Sequence, residues 1–77
     1  MNNEEFTKRR LNEQLPKRLV GKVVWLRTFF GRYRMMLVYR TSWSTRYGRR
    51  AKLVNNYWIR HVVLATEEES AAYFLGK

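Results

Sequence analysis

The sequence predicts a small α+β domain, in which one helix at each end flanks an antiparallel meander of three or four strands. Three observations predict this fold class. A proline at position 16 closes a polar amino-terminal segment. β-Branched and aromatic residues, separated by turn residues, dominate positions 19–65. A Thr-Glu-Glu-Glu segment at 66–69 marks the start of a final helix. At 77 residues the chain is one domain, residues 1–77, with a small core.

Residues 2–15 predict the first helix. An asparagine at position 2 or 3 caps it, and glutamates in the first turn complement the helix dipole. Pro16 ends the helix because the residue before a proline is pushed out of the α region. Leu11 and Leu15 form a thin apolar stripe, whereas Phe6 points well away from it. We therefore expect this helix to pack loosely, or against a partner.

The first hairpin is expected from a strand over residues 19–30 and a strand over residues 33–43, joined by a turn at Gly31. Apolar residues of the first strand point to both sides, so either both faces are covered or a bulge shifts the register. The second strand alternates more regularly, which predicts one core face and one cationic face. The expected core face holds Tyr33, Met35, Leu37, Tyr39 and Thr41.

The second hairpin is predicted at Asn55 and Asn56. Paired asparagines tolerate the left-handed conformation that a two-residue connection requires. They follow a short apolar segment and precede a strand that we expect to run over residues 57–65. This strand completes the sheet of residues 19–65.

The second helix is predicted over residues 66–75. Thr66 is a natural amino-terminal cap, and Glu69 stands at the spacing of a capping box. Gly76 follows the last helical residue. The expected apolar stripe of this helix consists of Ala71, Ala72 and Leu75.

The charge of the chain is strongly one-sided. The formal net charge is +10, and Arg outnumbers Lys by 11 to 5. The stretch from Gln14 to Thr66 contains no acidic residue. Folded surfaces normally intersperse both signs, because this relieves self-repulsion. The pattern indicates that another molecule supplies the negative charge, and the planar guanidinium, which binds phosphate in a bidentate manner, favours a nucleic acid.

The candidate binding residues lie in and around residues 43–52, where cationic and aromatic side chains are interleaved. We expect the cations to contact phosphates, while Trp43 and Tyr47 either stack on unpaired bases or anchor the loop. The candidate site consists of Trp43, Arg46, Tyr47, Arg49, Arg50 and Lys52, extended over the sheet by Arg27, Arg34 and Arg40. The sequence thus predicts a non-enzymatic DNA- or RNA-binding protein with a role in transcription regulation.

Catalysis is the weaker hypothesis. The chain has no Asp, no Cys and a single histidine, His61, with no carboxylate near it in sequence. We expect no metal site and no cofactor, because ligands of suitable type and number are missing. A small ribonuclease that works through Arg and Tyr is the enzymatic alternative. Its residues would be Arg34, Arg40, Tyr39 and His61.

A different class of function also fits the composition. Phage and mobile elements use tiny, highly charged proteins to bind and modulate a host enzyme such as RNA polymerase or a nuclease. The cationic surface would then dock on an acidic patch, with aromatic and Arg anchors. A homodimer is one way for so short a chain to bury more apolar surface. No apolar run approaches the ~20 residues of a membrane span, and no secretory signal is visible. We therefore expect a cytoplasmic protein without membrane contact.

Two partial resemblances bear on the fold. The order of helix, strands and helix resembles the outline of double-stranded-RNA-binding domains. In those domains a Lys-rich helix start contacts phosphates, whereas glutamates occupy 67–69 here. The segment 66–73 is similar to the helix start of integrase-type three-stranded DNA-binding domains, which implies a sheet that reads the major groove. We assign the chain to neither family.

Overall fold

A computed structural model describes residues 1–12, 15–45 and 48–76, and its α+β architecture confirms the predicted fold class. One helix lies at each end of the chain, α1 (Asn3–Asn12) and α2 (Glu67–Leu75). Between them, the described residues form six short strands, which are arranged in two antiparallel sheets of three. The strands are β1 (Val23–Arg27), β2 (Tyr33–Leu37), β3 (Thr41–Ser44), β4 (Ala51–Val54), β5 (Tyr57–Trp58) and β6 (Val62–Leu64).

The chain crosses between the two sheets twice. The first sheet has the order β2-β1-β6, and the second has the order β3-β4-β5. Residues 38–40 lead from the first sheet to the second, and a single turn of 3-10 helix, Ile59–His61, leads back. The prediction of continuous strands over 33–43 and 57–65 was therefore wrong. Each segment is divided, because its two halves pair with strands of different sheets.

The main core lies between the two sheets. Val24 and Leu26 of β1 face Val54 of β4 and Val38 of the first crossing, and all four are almost completely buried.

The predicted core face of the second strand was wrong as a choice of side, because Met36 and Val38, which were assigned to the cationic face, pack in the main core, whereas Tyr33 contacts Phe6 of α1. Val38 is buried, whereas Tyr39 is 64% exposed. Met36 pairs with Val24 of β1, and side chains of paired residues point to the same side of a sheet, so the alternate residues Met36 and Val38 both face the main core.

The two helices cover the outer face of the first sheet. Phe6 of α1 is completely buried, and its ring centroid lies 5.5 Å from that of Tyr33. Leu11, which we expected to form the packing stripe, is 80% exposed. The expectation of a loosely packed helix was wrong because Phe6 and not Leu11 faces the sheet. Arg10 adds a second attachment by donating to the carbonyl of Ile59 at 3.0 Å. Both faces of β1 are thus covered, the first of the two alternatives above.

The second helix begins as predicted and packs differently. The capping box is present, since the Thr66 hydroxyl accepts from the Glu69 amide and the Glu69 carboxylate accepts from the Thr66 amide. The predicted apolar stripe is not a packing face. Ala71, Ala72 and Leu75 are all exposed, and the half-buried residues of this helix include Glu69 and Tyr73. The polar cap and one carboxylate, rather than alanines, therefore orient α2.

The predicted Asn-Asn hairpin is confirmed. Asn55 and Asn56 have φ values of 50° and 71°, and they join β4 to β5. Asn55 is also buried and fixes the first crossing. Its side-chain amide donates to the Leu37 carbonyl at 2.8 Å, and its side-chain oxygen accepts from the Tyr39 amide at 2.9 Å. One side chain thus satisfies backbone groups that the divided strand leaves without ladder partners.

Candidate functional site

The basic hairpin, defined here as residues 41–54, carries the centre of the predicted site. Trp43 of β3 and Lys52 of β4 lie directly opposite each other. They share a face with buried Val54, since side chains two residues apart on a strand point to the same side. Trp43 is nevertheless 57% exposed. The hairpin therefore extends past the core, and the continuation of its inner face is open to solvent.

Cationic and aromatic groups are in contact on this hairpin. The Arg50 guanidinium carbon lies 4.3 Å from the Trp43 ring centroid, within the range of a cation–π interaction. Arg49 is exposed beside it. Arg46 and Tyr47, which the sequence also assigns to the site, lie outside the described residues. The described part of the basic hairpin thus holds the Trp43 ring and the Arg50 guanidinium together, an arrangement that could contact a base and its neighbouring phosphate.

The three arginines predicted to extend the site lie on the first sheet and the crossing. Arg34 of β2 is exposed and donates to the hydroxyl of Tyr57 at 3.2 Å. Arg40 is exposed at the first crossing. Arg27, at the end of β1, is half-buried, and its guanidinium carbon lies 4.9 Å from the Phe6 ring centroid. The structure therefore separates the candidate cations into a hairpin group and a sheet group.

Carboxylates lie away from these cations. Among the described residues, the ion pairs join Arg9 to Glu5 and Arg9 to Glu69, with nitrogen–oxygen distances of 3.1 and 2.7 Å. The Arg9 guanidinium holds the pKa of Glu69 at about 2, well below the usual value. In the described ranges no candidate-site cation is in an ion pair with a carboxylate. In the part of the chain that the structure describes, Glu5 and Glu69 thus pair with Arg9 on the helices, and the candidate cations of the sheets have no ion pair with a described carboxylate.

Two open clefts lie beside the sheet group of arginines. The first, of about 710 Å³, is lined by Arg27, Phe29, Phe30 and His61, among others. The second, of about 810 Å³, is lined by Arg34 and Tyr39, among others. Tyr57 lines both clefts. The hydroxyl of Tyr57 and its partner Arg34 therefore form the boundary between them.

His61 lies in a cationic environment. Partial burial lowers the pKa of its imidazole, and the nearby charges of Arg27, Arg60 and Arg10 lower it further. The described charged groups that act on His61 are all cations. Of the residues of the ribonuclease alternative, Arg34 and Tyr39 line the second cleft, and His61 lines the first.

The sequence interpretation missed two exposed aromatic residues. Phe29 and Phe30, at the turn between β1 and β2, are 96% and 86% exposed, whereas the sequence assigns Phe29 to the first strand and Phe30 to the boundary between strand and turn. The turn signal at Gly31 was read correctly, with φ at 72°. An earlier start of that turn would have removed both rings from the strand. A Phe-Phe-Gly tip between Arg27 and Arg32 was therefore a signal available in the sequence.

Comparisons with known proteins identify no relative of this chain. Family models, curated proteins and solved structures were all searched, and none of them matches this chain. Within residues 1–12, 15–45 and 48–76, no three His or Glu side chains converge as a metal centre requires. None of the helices in the described part of the chain is long and apolar enough to cross a membrane.

Proposed function

We propose that this chain is a non-enzymatic nucleic-acid-binding protein with a role in transcription regulation. One observation carries the proposal: none of the described candidate cations is in an ion pair with a described carboxylate, although the formal net charge is +10. Phosphate groups would supply the missing charge and release bound counterions on binding. Arg27, Arg34 and Arg40 on one side, and the basic hairpin on the other, are the proposed contacts.

The hairpin suits this role for a geometric reason. A two-stranded ribbon fits the major groove of B-form DNA, which is roughly 12 Å wide. Here the ribbon extends past the core and carries the Trp43–Arg50 pair together with Lys52. The molecule is elongated, with extents of 40 × 26 × 23 Å, as expected when one hairpin projects from a small core. Arg49, Arg50 and Lys52 would contact phosphates, and Trp43 would contact a sugar or a base.

The salt dependence of binding tests the proposal. If about 5–7 phosphates are contacted, the logarithm of duplex-DNA affinity should fall against the logarithm of salt with a slope near −5 to −6. Changing Arg49, Arg50 and Lys52 to Ser should weaken binding and make the slope shallower by about 3, because three phosphate contacts are lost. Fluorescence anisotropy at several salt concentrations measures both quantities.

A matched variant controls for net charge. Lys8, Lys17 and Arg18 are exposed on α1 and the segment after it, outside the proposed surface. Their replacement by Ser removes the same charge, and it should change the slope by less than about 1. A slope near zero for the unmodified protein would refute nucleic-acid binding. Equal effects of the two triple variants would show that binding does not depend on the hairpin.

A protein target is the second candidate function. The observation that favours it is the set of exposed apolar side chains on the helices, Leu11 on α1 and Phe74 and Leu75 on α2. On this alternative the chain is a small phage or mobile-element protein that binds and modulates a host enzyme. Affinity capture from a cell lysate, with and without nuclease, separates the two functions. A partner that survives nuclease treatment supports the protein target, whereas a nuclease-sensitive partner supports the nucleic acid.

A further inference from the structure

The aromatic tip between β1 and β2 is the feature that folding leaves unexplained. Phe29 and Phe30 touch each other, with ring centroids 5.6 Å apart and planes at 85°, yet both are almost fully exposed. Burying a Phe side chain is worth roughly 1.5–3 kcal/mol. Two adjacent rings at a turn therefore forgo considerable stabilisation in the isolated chain. Such rings are expected to have an occupant that covers them.

The surroundings of the tip indicate the charge of that occupant. Arg27 and Arg32 flank the two phenylalanines in sequence, and Arg27 lines the first cleft with them. Burial lowers the pKa of His61 in the same cleft, and the nearby charges of Arg27 and Arg60 lower it further. The exposed apolar residues of α2 differ in this respect, because that helix carries three glutamates in its first turn. The occupant of the first cleft should therefore be a flat apolar group attached to negative charge.

The second cleft continues the same pattern. Tyr57 lines both clefts, and Arg34 is hydrogen-bonded to its hydroxyl. Beyond this pair, Tyr39 is an exposed ring on the second cleft, next in sequence to exposed Arg40. Aromatic groups that alternate with arginines along adjacent clefts are typical of surfaces that bind single-stranded nucleic acid. Bases of an intact duplex are stacked on one another and could not reach these rings.

We infer that the two clefts meeting at Tyr57 hold unpaired bases of a single-stranded nucleic acid, with Phe29 and Phe30 as the stacking surface. This inference rests on the proposed nucleic-acid function and adds an unpaired strand at the clefts to the duplex that the hairpin would contact. Arg27 and Arg34 would bind the phosphates between stacked bases. The basic hairpin would contribute charge to any polyanion, paired or unpaired, whereas the aromatic clefts would discriminate in favour of the unpaired strand.

The test compares one paired and one unpaired probe. Anisotropy is measured with a labelled oligo(dT) of about 15 nucleotides and with a duplex of about 15 base pairs, at one salt concentration. We expect the double variant Phe29→Ser, Phe30→Ser to lose at least about tenfold in affinity for oligo(dT), because stacking contributes strongly per base. Its duplex affinity should stay within about twofold, since no phosphate contact is removed. Thermal unfolding of the variant should be nearly unchanged, because both rings are exposed.

The control removes equally exposed apolar side chains elsewhere. Leu11→Ser with Leu75→Ser changes two exposed residues of the helices and should leave both affinities as they are. A Phe variant that keeps its oligo(dT) affinity, or loses both affinities equally, would overturn the inference while nucleic-acid binding stands. If the unmodified protein binds neither probe at low salt, the proposed function fails as well. A Phe variant that binds both probes normally but no longer captures a nuclease-resistant protein would assign the clefts to a protein and overturn the inference.

Discussion

At the scale of single residues, Asn55 explains a feature that the alternation of apolar residues does not. Its backbone adopts a left-handed turn, and its buried side chain bonds to the backbone at Leu37, Tyr39 and Arg40. These bonds let the chain leave one sheet and enter the other without buried, unpaired backbone groups. The turn was predictable, because Asn-Asn is a strong hairpin signal. The second role was not, since its partners lie some 16 residues away and depend on the fold.

This double role predicts a large difference between two neighbouring asparagines. Asn55→Gly and Asn56→Gly both keep a left-handed backbone accessible, and both add the same flexibility to the unfolded chain. Only Asn55→Gly removes the bonds to the crossing, so we expect it to lower the free energy of unfolding by about 2–3 kcal/mol. Asn56→Gly should cost less than about 0.5 kcal/mol. Urea denaturation of the two variants measures the difference, and similar losses would contradict the assigned role.

At the scale of elements, the helices are positioned by groups that their own periodicity does not identify. Phe6 and Arg10 attach α1 to the strands, and Arg9 joins α1 to α2 through a bidentate pair with Glu69. The caps and the existence of both helices followed from local chemistry. The packing faces did not, because Phe6 of α1 is buried whereas Leu11 is exposed, and the apolar stripe of α2 is mostly alanine.

The pair between Arg9 and Glu69 makes a pH-dependent prediction. Glu69→Gln keeps a side chain that can complete the capping box but removes the charge. The side chains of Arg9 and Glu69 are each about a quarter exposed. We therefore expect the variant to lose about 1–2 kcal/mol in the free energy of unfolding at neutral pH. The pKa of Glu69 is lowered to about 2. The stabilisation of the fold by the Arg9–Glu69 ion pair is therefore complete above the usual glutamate pKa, and it is lost as the pH falls through 4 toward 2.

Urea unfolding of the protein and the Glu69→Gln variant, at neutral pH and near pH 2.5, measures this effect. The difference between the two curves should shrink in acid. Glu68→Gln is the matched control, because this exposed residue lies in the same first turn and has no ion pair in the described part of the chain. It should cost about 0.3 kcal/mol, the helix-dipole share. A Glu69→Gln difference that persists unchanged in acid would assign the loss to the cap rather than to the ion pair.

At the scale of the whole molecule, the sequence predicted which side chains are charged and exposed better than it predicted their arrangement. The described cations of 43–52 lie on a projecting hairpin next to Trp43, as their interleaving indicated. Arg27 and Arg34 lie on the first sheet and the basic hairpin belongs to the second, because the chain changes sheets at 38–40, and Arg40 lies at that crossing. The clefts that meet at Tyr57 arise from this change of sheet. The residue pattern along 33–58 does not predict this change of sheet, because the residue that fixes it, Asn55, bonds to residues 15 to 18 positions away.

The charge distribution of the whole molecule also predicts how stability responds to salt. Two terms oppose each other. Salt weakens the Arg9–Glu69 pair, but this is a single, partly buried pair worth about 1–2 kcal/mol. Salt also screens the mutual repulsion of a chain with net charge +10, whose exposed cations are spread over the surface within a few Debye lengths. The second term involves many more charges, so we expect stability to rise with salt.

Raising NaCl from about 10 mM to about 150 mM should increase the Tm by about 4–8 °C, which corresponds to about 1 kcal/mol in a domain of this size. The two triple Ser variants described above both lower the net charge from +10 to +7, since each removes three cations. If positive charge is concentrated at the basic hairpin, the Arg49, Arg50 and Lys52 variant should show the smaller increase of the two. A Tm that falls with salt would mean that attractive pairs dominate. The central premise, that the counter-charge of this surface comes from another molecule, would then be wrong.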